Sequence, residues 1–287
     1  FIQKIREVLI PPILEPGPPP GVWRKEHASA EENEHLFANI LVSISGEENS
    51  WDALEQALLV AERENSHLMG LHVLPNKTDV DEARTNAMRD RFENRCDDAG
   101  LKGEFAFDFG RVSSVINERA RWSDLVILHL AHPPQPQILS RLGSGLRSLI
   151  QRCPRPVMVV PRAAPKLERL LVAYDGSPKA NEALYIAAYF AGRWRASVVL
   201  LTVLESGSTP NWGAHRAKRY LKRQNIDAAY IQKEGDVGTS ILQVVEEEKI
   251  DLIVMGGYSR VPVTEVILGS SIDEVLQATK QPVLICR

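Results

Sequence analysis

The chain has 287 residues, 44% of them hydrophobic and 25% charged, and its 34 basic and 37 acidic side chains leave a net charge of −3. That balance belongs to a globular protein and excludes disordered, collagen-like and coiled-coil chains. It also leaves no electrostatic footprint for nucleic acid, with no clustered basic stripe to create one locally, and the length suggests two domains or one large α/β domain.

The chain starts at Phe1, and six of its 18 prolines lie within the first 20 residues. Proline removes a backbone donor and fixes φ, so Ile10–Val22 reads as an extended spacer rather than a helix or central strand. Phe1–Ile10 carries Lys4, Arg6 and Glu7 and does not read as a signal peptide. No apolar run approaches the length that spans a bilayer. This charged, proline-rich leader, up to residue 38, is expected to join the chain to a longer protein.

Regular structure is expected from Asn39 onward. Ile40–Ile44 reads as a strand, Trp51–Arg63 as a helix, and Ser66–Leu74 as a strand. Val80–Ala99 is a charged amphipathic helix, Glu104–Phe109 alternates like an edge strand, and Ser113–Arg121 is helical. Leu125–His129, helical Gly143–Arg152 and Pro156–Val160 complete the series. Strands alternating with helices imply βαβ units and a parallel sheet.

The series then repeats. Leu41-Val42 recurs as Leu171-Val172, Val73-Leu74 as Val203-Leu204, and Gly110-Arg111-Val112 as Gly235-Asp236-Val237. Asp124-Leu125-Val126 recurs as Asp251-Leu252-Ile253, Gly143-Ser144 as Gly269-Ser270, and Pro156-Val157 as Pro282-Val283. The reading is two copies of one α/β domain, 39–162 and 163–287, each an open five-stranded parallel sheet with helices on both faces.

Open parallel sheets bind ligands beyond the carboxyl ends of their strands. There the second copy has Asp175-Gly176-Ser177 and, after its fourth strand, Gly256, a loop and Gly269-Ser270. Asp175 suits a ribose or a base amino group, or else helix capping. Ser177 with Pro178 suits a helix cap, and Ser270 with Asp273 suits a capping box. Glycines and a helix N-terminus can also receive a phosphate.

Other constellations carry less. His129 and His132 lack a third metal ligand nearby. Cys96, Cys153 and Cys286 are too few for a disulfide framework, which suits a reducing compartment, and Cys153 and Cys286 read as buried thiols. Trp51, Trp122 and Trp194 read as packing residues, whereas Trp212 is open to either role. The basic run His215–Arg223 reads as a solvated face or a contact surface for acidic groups. No pairing of nucleophile and base appears.

The segments Leu171–Ser177, Gly235–Val237, Asp251–Gly256, Leu268–Ser270 and Gln281–Ile285 together resemble the universal stress protein family, and the resemblance covers both copies. It implies the strand order 3-2-1-4-5, often a homodimer through the last strand, and in some members an ATP site. That site's motif is Gly, two residues, Gly, nine residues, Gly, then Ser or Thr. Here Gly256, Gly269 and Ser270 keep their places, Ser259 replaces the second glycine, and Ile272 replaces a hydroxyl often found near the phosphate. Asp175 matches the acid facing the adenosine, and Val203 a residue lining the adenine. The first copy keeps Gly143-Ser144 but has Ser45 for the acid and His129 for the first glycine.

The resemblance implies a cytoplasmic, non-catalytic regulatory or dimerisation module that takes ATP or AMP in its second copy only. Similar tandems form the cytosolic parts of some prokaryotic membrane transporters, so contact with a membrane protein is an expectation. The alternative is a stand-alone ATP- or AMP-binding universal stress protein, and a slow ATPase ranks last.

Overall fold

The computed structural model describes residues 35–79, 81–134, 145–164, 166–204, 212–258 and 270–287. These residues fall into two compact units. One holds residues up to 131 together with 148–163, and the other holds residues from 164 onward together with 132–147.

The first unit contains β1 (Asn39–Ser43), α1 (Asp52–Glu64), β2 (His67–Leu74), α2 (Glu82–Asp98), β3 (Gly103–Phe109), α3 (Val112–Arg119), β4 (Leu125–His129), most of α4 (Gly145–Arg152) and β5 (Val157–Val160). Its strands are parallel and lie in the order β3-β2-β1-β4-β5, with helices on both faces. Strand β1 is central, with Val42 between Gly70 of β2 and Ile127 of β4. Ile40, Leu41 and Val42 are all buried, as expected of a strand covered on both faces. Helix α1 buries Ala53, Leu54, Ala57, Leu58 and Ala61 at helical spacing. It stops where Asn65 turns left-handed at φ 49°.

The second unit repeats the plan with β6 (Arg169–Ala173), α5 (Pro178–Trp194), β7 (Ser197–Leu204), α6 (Trp212–Arg223), β8 (Ala228–Glu234), α7 (Val237–Glu247), β9 (Leu252–Gly256), α8 (Ser271–Ala278) and β10 (Val283–Cys286). Its order is β8-β7-β6-β9-β10, again parallel. Val172 sits between Leu200 and Val254, as Val42 does between its neighbours. In both units the direction of strand succession reverses beside the first strand. The expected α/β architecture and strand order are therefore those of the molecule.

One packing expectation fails. Trp122 is 80% exposed. Helix α3 ends at Arg119, and residues 120–122 form a tighter turn that breaks the helical period. Ala120 takes the buried place instead. Trp51 is buried, and Trp194 stacks on Phe190 at 3.7 Å between ring centroids. The side chain of Trp212 lies outside the described residues. Cys96, Cys153 and Cys286 are buried free thiols; burial raises the Cys96 thiol to about 11 and also pushes the Cys286 thiol well above its ordinary value. No helix among the described residues is long and apolar enough to cross a membrane.

Candidate functional site

Strands β6 and β9 are adjacent, so their carboxyl ends bring Asp175 and Gly256 to one end of the second sheet. The chain leaves β6 through buried Tyr174, whose hydroxyl donates to Asn181 Oδ1 at 2.7 Å. It then turns at Gly176, whose φ of 84° favours glycine. Ser177 caps α5: its Oγ accepts from the Ala180 N–H at 3.1 Å, and Pro178 opens the helix.

Asp175 is exposed, and its Oδ1 accepts from the Ser177 N–H at 2.8 Å. That bond rigidifies the turn. The other carboxylate oxygen has no hydrogen-bond partner among the described residues. Capping of α5 is done by Ser177, while Asp175 holds the turn before it. From α6, Arg216 donates to the Gly176 carbonyl at 3.2 Å, which places a cation beside the same turn. Val203, near the end of β7, is half-buried.

Gly256 is explained by packing. A Cβ there would lie 3.0 Å from the Ala180 nitrogen and 3.1 Å from Lys179 Cβ, so the first turn of α5 needs the missing side chain. Beyond it, the Gly257 N–H donates to the Cys286 carbonyl at 2.6 Å. Lys179 Nζ donates to the Tyr258 carbonyl. The buried Tyr258 hydroxyl donates to Asp273 Oδ1 at 2.6 Å. The guanidinium of Arg147, a residue of this unit, donates to Asp273 Oδ2 at 2.9 Å and lies 4.5 Å from the centre of the Tyr258 ring. The Arg147 and Asp273 side chains are 9% and 2% exposed, so the pair is deeply desolvated. No motif flags Arg147 or Tyr258; only three-dimensional packing reveals them.

Ser270 is buried and caps α8, its Oγ accepting from the Asp273 N–H at 3.3 Å. That bond uses only the oxygen, so the hydroxyl proton can still be donated to an acceptor. Ile272 is buried in the apolar core of the unit. Ser259 and Gly269 lie outside the described residues. Among the described residues this end of the sheet thus presents an acceptor, the exposed Asp175 carboxylate, and a buried serine hydroxyl at Ser270.

The first unit differs at the equivalent place. Ser45 is exposed and accepts from the Glu47 N–H at 3.4 Å. Gly46 turns at φ 88°, and the space beside it holds Arg84, His72 and Met88, whose atoms lie 3.1, 3.4 and 3.7 Å from the position of a Cβ. His72 is buried, and its Nδ1 is hydrogen-bonded with the Ile44 carbonyl at 2.7 Å. His129 is half-buried, and its Nδ1 has no hydrogen-bond partner among the described residues. Among the described residues no three His, Cys, Asp or Glu side chains are grouped to hold a metal. Gly143 and Ser144 lie outside them.

Comparison with known proteins agrees with this architecture. The model of the universal stress protein family matches residues 37–161 and again 166–287. A universal stress protein of Synechocystis sp. is 25% identical over 166 residues, covering 57% of this chain and 58% of the relative. One of Methanocaldococcus jannaschii is 32% identical over 71 residues, covering 23% of this chain and 44% of the relative. The matches thus span about half the length of these relatives. The crystal structure of a universal stress protein from Archaeoglobus fulgidus superposes with a TM-score of 0.73 at 20% identity, covering 88% of this chain and 97% of that one, and so shares the fold. Two matches of the family model, one on each repeat, place the chain in the universal stress protein family.

Proposed function

We propose that the protein is a regulatory module whose second unit binds an adenine nucleotide, AMP or ATP, chiefly through the nucleoside. The carrying observation is the exposed Asp175 carboxylate at the carboxyl end of β6, with one oxygen fixed to the Ser177 N–H and the other without a partner among the described residues. A carboxylate oxygen held in this way accepts from a ribose hydroxyl or an amino group without reorganising. Half-buried Val203 offers an apolar neighbour for the base. Gly256, Ser259, Gly269 and Ser270 are the assigned phosphate end.

The phosphate end supports weak discrimination. Ile272 supplies no hydroxyl, so of the two positions only Ser270 can donate one to a phosphate. Nucleotides differing in phosphate number should therefore bind within about tenfold of one another, which is about 1.4 kcal/mol. The first unit offers no equivalent carboxylate, and its own side chains surround Gly46. Its role in this reading is structural. The non-catalytic assignment rests on the absence of any nucleophile–base pairing in the sequence.

Titration calorimetry with ATP, AMP and cyclic AMP tests this. Wild type should give saturable heat with one equivalent. Asp175→Ala should weaken binding by at least about tenfold, since a hydrogen bond to a charged group is worth about 1.5–3 kcal/mol. No heat with any of the three, or an unchanged affinity in Asp175→Ala, would overturn the reading.

A further inference from the structure

Helix α6 carries Arg216, Lys218, Arg219, Lys222 and Arg223 and no acidic residue. All five are exposed, whereas Ala217 and Leu221 on the other side are buried. Arg216 reaches the Gly176 carbonyl, and Lys218 lies 4.6 Å from the centre of the Tyr230 ring. Neither partner carries a countercharge. Among the described residues none of the five belongs to an ion pair. Asp227, in the turn that follows, acts electrostatically on Tyr230.

The first unit provides an internal control. Its counterpart helix, α2, holds the four arginines Arg84, Arg89, Arg91 and Arg95 against the five acids Glu82, Asp90, Glu93, Asp97 and Asp98. Arg91 and Arg95 pair with Glu48 and Glu55, each at 2.6 Å. This place in the fold is therefore filled well by a balanced helix. The cations of α6 are not required to build the unit. Five like charges on a helix of about 18 Å also repel one another, a cost that an anionic partner relieves.

The form of the surface selects the partner. Reading a base edge needs guanidinium or amide donors held in fixed geometry, and only Arg216 and Lys218 are held at all. Among the described side chains of α6 the apolar Ala217 and Leu221 are buried against the unit, so they offer no apolar face to insert into a bilayer or a hydrophobic groove. What remains is an exposed row of cations beside Tyr230, a 39%-exposed residue on the edge strand β8. Anionic headgroups, many and mobile, match such a row. We infer that the outer face of α6 docks on the surface of an anionic bilayer, peripherally and without insertion. This does not depend on nucleotide binding.

Co-sedimentation of the full chain with vesicles tests it. Vesicles of phosphatidylcholine and phosphatidylglycerol in equal parts should bind at least about tenfold more strongly than phosphatidylcholine alone, and high salt should abolish the difference. The triple variant Arg219→Glu, Lys222→Glu, Arg223→Glu should lose binding. The matched variant Arg89→Glu, Arg91→Glu, Arg95→Glu in α2 should keep it, with thermal melts confirming that both fold. Equal binding to the two vesicles, an equal effect of the two triple variants, or retention of duplex DNA by α6 without vesicle binding would overturn the inference.

Discussion

Asp175 and Gly256 end adjacent strands but do different work. Asp175 holds its turn with one oxygen, and its other oxygen has no hydrogen-bond partner among the described residues. Gly256 is set against the first turn of α5, with the Ala180 nitrogen 3.0 Å from where a Cβ would stand. A glycine in a phosphate-loop position is here demanded by helix packing, whatever it also does for a ligand. Gly256→Ala should therefore destabilise the protein by about 1–3 kcal/mol through overpacking, measured by urea denaturation. An unchanged midpoint would show that α5 yields freely. Asp175 could be found from the sequence because its strand end is marked by Asp-Gly-Ser. Arg147 and Tyr258 could not, because the buried contacts with Asp273 join residues 126 and 15 positions apart.

Elements were more legible than single side chains. Leu125–His129 is a strand at the expected bounds, because a fully buried parallel strand is a continuous apolar run between turn signals. Helix ends were harder to place. Helix α5 stops at Arg195, which takes φ 58° without being glycine or asparagine. Nothing in an arginine announces a left-handed cap; the equivalent cap in the other copy is Asn65, where the residue type does suit the turn. Arg195→Gly should accordingly stabilise the protein by about 1 kcal/mol, read as a higher denaturation midpoint. A lower midpoint would mean that the arginine side chain contributes more than its backbone costs. Trp122 shows the opposite failure, since one residue of broken helical period carried a large apolar ring from an expected core place to solvent.

At the scale of the molecule, two units share one scaffold and differ in what surrounds it. The net charge of −3 conceals a helix with five exposed cations, because the acids that balance them are elsewhere in the chain. Overall charge therefore describes the chain poorly as a contact surface, and the paired copy, α2, is the better reference. The same comparison separates the strand-end sites. Arg84, His72 and Met88 stand beside Gly46 in the first unit, whereas the second presents Asp175 to solvent. Ligand binding should be confined to the second unit. Photolabelling of the full chain with 8-azidoadenosine, followed by peptide mapping, tests that claim most directly. Label should fall on peptides from the ends of β6, β7 or β9, and excess AMP should suppress it. Label around Ser45 or His129, or labelling that AMP does not compete, would contradict it.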